Sequence, residues 1–152
     1  MSATRVLSAL VCVLGLAGLA AAQNEPVLEP LTYVGAESCK SCHKEIHESW
    51  AQTKHARTIN RLSGDERRTE CITCHVTATP ETIAEGALQP VHHNVQCEAC
   101  HGRGSAHVAD PTVVRGLTKR PGESACVTCH NAKSPHYRGF VYNAMVGFSH
   151  KH

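Results

Sequence analysis

Four copies of one short cysteine–histidine pattern mark the positions where this chain could do chemistry. The pattern is C-x-x-C-H, and its copies read CKSCH at 39–43, CITCH at 71–75, CEACH at 97–101 and CVTCH at 126–130. The composition alone would give roughly 0.04 such matches, so four copies indicate a chemical requirement. Of the nine cysteines, only Cys12 lies outside the copies. The pattern therefore leaves no cysteine pair for a separate disulfide.

This spacing is typical of covalent c-type haem attachment. The two thiols add to the two vinyl groups of the porphyrin, and the adjacent histidine becomes the proximal iron ligand. On a helical turn, positions i, i+3 and i+4 lie on one face, so all three groups can meet one haem. The predicted attachment residues are Cys39, Cys42, Cys71, Cys74, Cys97, Cys100, Cys126 and Cys129. The predicted proximal ligands are His43, His75, His101 and His130.

Other chemistries also use paired cysteines. Zinc could be held by four cysteines or by two cysteines and two histidines, but such sites do not need a histidine directly after every second cysteine. A thioredoxin-like dithiol would occur once, in a βαβ context. Disulfides suit an exported protein but leave the repeated histidine unexplained. The residues favour four covalent haems, with zinc and disulfides as the alternatives.

The haems would also supply an interior. Aromatic residues make up only 4% of the chain, so a core built from side chains alone would be thin. Four haems on about 130 mature residues correspond to roughly 32 residues per haem. The predicted fold is mainly α with little regular structure: short helices and loops wrapped around four covalently bound haems.

Eight histidines remain after the proximal four are assigned, which exceeds the four distal ligands that six-coordinate irons would need. Bis-histidine ligation is therefore available to every haem. The axial ligand matters because it is one of the properties that set a haem's potential. The remaining histidines are His47, His55, His92, His93, His107, His136, His150 and His152.

Two stretches resemble the cytochrome c-554 group of multihaem cytochromes. They are GAESCKSCHKEIHESWAQTKHAR at 35–57 and NVQCEACHGRGSAH at 94–107. The first has the Gly-x-x-x-Cys start, a tryptophan seven residues after the proximal histidine and a Lys-His-Ala just beyond. The second matches C-E-A-C-H-G-x-G-S-x-H. The resemblance runs loosely from about residue 33 to the carboxyl terminus.

The resemblance implies distal iron ligands at His55, His107 and His150, with His152 as the alternative to His150. One of His92 and His93 is expected to be a further ligand, and His93 is favoured. A helix predicted over 43–62 places His55 too far from His43 to return to the same iron, so His55 is expected to serve another haem. His47 and His136 are expected at the surface or in support of ligands.

The chain is predicted to consist of a signal peptide, an extended lead-in and one tetrahaem domain. Residues 1–22 combine Arg5, an apolar run and small residues at the end, which indicates a secretory signal with cleavage after Ala22. Residues 23–34 form the lead-in, partly disordered, and 35–152 the haem domain. Loops are predicted at 76–92 and 108–123 because prolines interrupt them. The product would be periplasmic or extracellular, without a stable membrane anchor after cleavage.

The charge of the apoprotein does not predict nucleic-acid binding. The formal charge is +2, and removal of Arg5 leaves +1. Two ionised propionates per haem would bring the loaded protein to about −3 when oxidised and about −7 when reduced. The basic stretch RLSGDERR at 61–68 is interpreted as a solvated turn.

These features predict electron transfer by an exported tetrahaem cytochrome that is not an enzyme. The expected partners are other redox proteins, an electron donor and an acceptor, met through weak and transient interfaces. One alternative is reduction of a nitrogen oxide or peroxide at a five-coordinate haem. Another is a subunit of an extracellular cytochrome filament, since the terminal FSHKH offers histidines for self-assembly.

Overall fold

A computed structural model describes residues 28–68 and 70–151. The predicted signal peptide lies outside the described residues. Seven α-helices occur in the described parts: α1 Ala36–Lys40, α2 Lys44–Ala51, α3 Pro80–Ala84, α4 Cys97–His101, α5 Ser105–Ala109, α6 Glu123–Val127 and α7 Tyr142–Met145. The 3-10 helices of the same parts are His55–Arg57, Ile59–Arg61, Gly64–Arg68, Glu70–Cys74, Pro90–His92 and Val146–Phe148.

The expectation of short helices and loops is confirmed. Strands are absent from the described residues, and an isolated antiparallel bridge joins Val76 to His93. The longest helix of the described parts, α2, has eight residues, too few to be stable without tertiary packing. The buried apolar side chains in the described parts are Ala36, Leu62, Ile72 and Val76. Side chains alone thus give these helices little apolar surface to pack against.

The helix predicted over 43–62 is shorter than expected. Helix α2 ends at Ala51, and the chain continues in 3-10 turns. The cause is local: the Thr53 hydroxyl and the Thr53 N–H both donate to the Trp50 carbonyl, at 2.7 and 2.8 Å, which closes the last turn early. The Trp50 indole N–H donates to the Val95 carbonyl at 3.0 Å, so α2 is tied to the segment before α4.

The loop predicted at 76–92 contains helix α3. The start of α3 has the two features typical of a helix amino terminus. Pro80 occupies the first turn, and the Thr79 hydroxyl caps the helix by accepting the Thr82 N–H at 3.1 Å. The prolines that indicated a loop therefore mark a helix start at Pro80 and a 3-10 turn at Pro90.

A buried carboxylate fastens the start of the described chain to α4. The Glu98 side chain accepts N–H donors from Val34 at 3.0 Å, Gly35 at 2.8 Å and Gly104 at 2.7 Å. Glu98 is 4% exposed. Nearby, the Ala36 N–H donates to the Gln96 side chain. The residues around the first motif are thus held against the third.

Threonine hydroxyls make the corresponding link between the second and third motifs. Thr77, 2% exposed, donates to the Asn94 carbonyl at 2.9 Å and accepts the Gln96 N–H at 2.8 Å. Thr58 donates to the His75 carbonyl at 2.9 Å and accepts the Val95 N–H at 3.1 Å. These contacts fix the backbone of His75 relative to the segment that leads into α4.

A glycine directly after the third motif allows a close approach of two backbones. Gly102 has φ +94°, and a Cβ at this position would collide with the Gly116 carbonyl oxygen. Beside this contact, the Thr118 N–H donates to the His101 carbonyl at 2.8 Å. Gly102 therefore lets the 116–118 turn lie against His101.

We expect Glu98→Gln to lower the free energy of unfolding by about 2 kcal/mol, because the amide replaces an acceptor oxygen with a donor that faces buried N–H groups. Guanidinium unfolding followed by far-UV circular dichroism measures the loss. Glu48→Gln, at an exposed position of α2, is the matched control and should leave stability within experimental error. Equal stability of both variants would contradict the role given to Glu98.

Gly102→Ala should destabilise the protein by about 2 kcal/mol or more, because alanine is strained at this φ and its methyl group meets a backbone oxygen. Thermal unfolding checks this. Gly122→Ala is the control, since Gly122 has extended backbone and open space around its Cα. A Gly102→Ala melting temperature equal to that of the control would refute the argument.

Candidate haem-binding site

Each motif histidine is placed by a helical turn that includes its own cysteines. The N–H of His43 donates to the Cys39 carbonyl at 2.9 Å, and that of His130 to the Cys126 carbonyl at 2.9 Å. The third motif is helix α4 itself. The second motif is tighter: it lies in the 3-10 helix Glu70–Cys74, and the His75 N–H donates to the Ile72 carbonyl at 2.9 Å.

Three motif histidines each lie beside a histidine from a distant part of the chain. The ring centroids of His43 and His107 are 6.4 Å apart, with an interplanar angle of 24°. Those of His101 and His150 are 5.9 Å apart at 31°. The centroids of His55 and His130 are 6.1 Å apart at 67°. Each pair thus unites a predicted proximal ligand with a predicted distal one.

This spacing is the one that two axial ligands of a single metal require. Two imidazoles bonded through ring nitrogens at about 2 Å on opposite sides of one iron have centroids roughly 6 Å apart. Direct stacking of two imidazoles would bring them closer. The pair distances of 5.9 to 6.4 Å therefore fit a haem iron between the rings.

Hydrogen bonds to backbone carbonyls orient several of these rings. The Nδ1 atom of His75 lies 2.7 Å from the Thr58 carbonyl, and that of His101 lies 2.8 Å from the Thr118 carbonyl. The Nδ1 atom of His107 lies 3.0 Å from the Val113 carbonyl. A carbonyl can only accept, so Nδ1 holds the proton and Nε2 presents its lone pair, as in a metal ligand.

The second motif lacks such a ring pair in the described residues. His93 bridges to Val76, so its backbone lies close to His75, but no ring contact joins the two within residues 28–68 and 70–151. His92 has a different role: its Nδ1 accepts the Gln89 N–H at 3.0 Å. That bond places the proton of a neutral ring on Nε2, which removes the lone pair an iron would need.

The motif cysteines approach one another across motifs. The thiols of Cys39 and Cys97 are hydrogen-bonded, and this contact raises the pKa of Cys97 and lowers that of Cys39. Burial, with Cys74 as a neighbour, raises the pKa of Cys129 to about 11. Burial and then Cys126 raise the pKa of Cys100. The first motif therefore adjoins the third, the third the fourth, and the fourth the second.

His55 lies in a particularly dense part of the site. Burial lowers its pKa first, and the nearby His130 and His150 lower it further. Both effects disfavour the charged imidazolium and favour the neutral ring that a metal binds. The pair of His55 and His130 thus lies near His150, which belongs to the pair of His101 and His150.

The zinc and disulfide alternatives find no support in the described parts of the chain. The eight motif cysteines are free thiols. Within residues 28–68 and 70–151, no three histidine, cysteine or acidic side chains gather closely enough to hold a metal ion directly. Each motif histidine instead lies in the same turn as its own two cysteines, as covalent haem attachment requires.

Sequence reasoning missed Phe140 and the burial of His47. Phe140 stacks on His130 with centroids 5.0 Å apart at 27°. His47, expected at the surface or in support of ligands, is buried, 5.3 Å from the Trp50 ring, with its Nε2 3.3 Å from a Glu37 oxygen. The i, i+3 spacing to Trp50 could have indicated the burial of His47. No local spacing indicates Phe140, which is ten residues beyond His130.

Known proteins match the amino-terminal part of the haem region. A family described as cytochrome c554 and c-prime matches residues 38–102, which hold the first three motifs. Cytochrome c-554 of Nitrosomonas europaea is 28% identical over 93 residues, which covers 47% of this chain and 39% of that relative. The match thus spans well under half the length of this curated relative. No solved structure matches the chain. With the motif geometry, these similarities confirm that the chain resembles the cytochrome c-554-like family of c-type cytochromes.

Proposed function

We propose that the protein is an exported tetrahaem c-type cytochrome that transfers electrons between redox partners and transforms no substrate itself. The observation that carries the proposal is the set of three histidine pairs, each with the spacing of two axial ligands on one iron. Similarity to a family of c-type cytochromes supports haem as the group that these pairs hold. The attachment residues are the eight motif cysteines predicted from the sequence.

The pairs suggest which distal histidine serves which iron. His107 would complete the iron of His43, His150 that of His101, and His55 that of His130. This assignment agrees with the expectation that His55 serves a haem other than the one attached at 39–43. For the iron of His75, His93 remains the proposed ligand, because the bridge to Val76 brings its backbone near.

The cysteine contacts suggest a continuous path for electrons. Since attachment cysteines lie at the edge of a porphyrin, neighbouring cysteines imply neighbouring haem edges. The contacts place the motifs in the order first, third, fourth, second. Haem iron supplies the one-electron chemistry, while the chain fixes ligand identity, orientation and burial, which together tune each potential.

The proposed location is the periplasm or the extracellular space. The signal peptide predicted at 1–22 supports export. In the described parts of the chain, no helix has the length and hydrophobicity needed to span a bilayer. The partners would be an electron donor and an acceptor protein, met through weak interfaces. Nucleic acid is not among the proposed partners. Self-assembly through the terminal histidines is an alternative that the molecular mass of the protein in solution would test.

A second candidate function is reduction of a small nitrogen oxide or peroxide at the second iron. It is favoured by His75, whose ring has no histidine ring beside it in the described residues. A cavity of about 340 Å³ lies beside this motif, lined by Arg67, Ile72, Ile83, Ala84, Gly86 and Leu88. An iron with one open face next to a cavity could bind a small ligand, which a high-spin ferric signal would reveal.

The matured protein should contain four haems per chain by pyridine haemochrome assay and mass spectrometry. Replacing Cys71 and Cys74 together with alanine should leave three, because one haem loses both thioether bonds. Thr73→Ala, within the same motif, should keep four. A count well below four in fully matured protein would refute the proposal. Electron paramagnetic resonance of the same sample separates the candidates: a high-spin fraction near one haem in four favours the second function.

His107→Met should raise the midpoint potential of one haem, because a thioether ligand favours ferrous iron more than imidazole does. The shift should be a fraction of the roughly 0.8 V range that axial ligands span. Spectroelectrochemical titration measures it. His92→Met is the control and should leave all four potentials unchanged, since the His92 Nδ1 is engaged by Gln89. Equal titration curves for wild type and His107→Met would exclude His107 as a ligand.

A further inference from the structure

The three histidine pairs differ in the angle between their ring planes. The planes of His43 and His107 meet at 24°, and those of His101 and His150 at 31°. The planes of His55 and His130 meet at 67°, much nearer the perpendicular. Since the centroid distances of the three pairs are almost equal, the interplanar angle is what distinguishes the pair of His55 and His130 from the other two.

An aromatic ring packs against His130, one member of the pair of His55 and His130. Phe140 stacks on His130 at 5.0 Å with an interplanar angle of 27°. In the described residues, no carbonyl accepts a hydrogen bond from the His130 Nδ1, in contrast to His75 and His101. The contact that fixes the rotation of the His130 ring is therefore the face of Phe140.

Hydrogen bonds anchor the backbone on both sides of this stack, near Phe140 and near His130. The Tyr142 hydroxyl donates to the Pro121 carbonyl at 2.8 Å, which ties the start of α7 to the segment before α6. On the other side, the Asn131 amide donates to the Val127 and Thr128 carbonyls at 2.8 and 2.9 Å. Both rings of the stack thus emerge from backbone that is tied to the ends of α6.

We propose that Phe140 is a positioning residue that holds His130 nearly perpendicular to His55 and so gives the fourth haem an electronic structure unlike those of the first and third. The inference rests on the proposed ligation of one iron by His55 and His130. Phe140 is not one of the proposed iron ligands. It acts through the ring of His130, as outer groups around metal sites commonly do.

The electronic consequence follows from the symmetry of the ligand field. Two nearly parallel imidazoles donate into the same iron d orbital and split it from its partner, which gives a low-spin ferric signal with three resolved g values. Two nearly perpendicular imidazoles act on both orbitals about equally, so the orbitals remain almost degenerate. The signal then has one dominant, high g value and broad remaining features. The axial ligand arrangement is among the properties by which a protein tunes a haem.

Electron paramagnetic resonance of the fully oxidised, haem-loaded protein tests this. The wild type should show one haem with a single high-g feature beside two haems with three resolved g values. Phe140→Leu removes the stacked ring and should shift or remove the high-g feature, with its intensity recovered as a three-g signal. Phe140→Tyr retains an aromatic face and should keep the feature.

Phe148→Leu is the matched control, because Phe148 is the only other phenylalanine of the chain and is 76% exposed. It should leave the spectrum unchanged. A wild-type spectrum without the high-g feature, or an unchanged feature in Phe140→Leu, would overturn the inference. Haem counts and low-spin fractions are measured on every sample first. A wild-type sample in which the fourth haem is not low-spin would refute its ligation by His55 and His130. A wild-type sample with four bound haems but without the high-g feature would refute only the role of Phe140.

Discussion

The buried carboxylate of Glu98 is the interaction on which the placement of the first and third motifs depends. It lies inside the third motif, yet its acceptors bind N–H groups at 34–35 and at Gly104. A buried anion keeps its stability only if such donors surround it, so the three segments must come together around it. The approach of Cys39 to Cys97 and of His43 to His107 follows from this arrangement.

In the described parts of the chain, apolar packing alone could not hold these segments together. Four buried apolar residues cannot stabilise helices of at most eight residues, and the large exposed apolar side chains include Val141, Met145 and Phe148. Polar contacts from Glu98, Thr58 and Thr77 set the backbone, and the proposed haems would fill the interior that they frame. The resemblance to a cytochrome c-554-like family and the spacing of the histidine pairs support the same view.

The sequence predicted the kind of fold well because C-x-x-C-H is a geometric requirement that leaves a visible spacing. It predicted the extent of α2 poorly, because the competition of the Thr53 hydroxyl for a helix carbonyl is invisible to periodicity. The partners of His43, His101 and His130 could be nominated only through the resemblance, since they lie far away in sequence. Phe140 was not found at all, because its contact depends on how two distant turns meet.

The contact between His101 and His150 has a consequence for the order in which the protein can be assembled. His150 follows His101 by 49 residues in the chain. Under the proposed ligation, a chain that emerges from its amino terminus would attach a haem at the third motif well before the second ligand of that iron arrives. During that interval the iron would be open to water or to a competing ligand. Completion of the proposed third site would therefore report that the chain has emerged at least as far as residue 150.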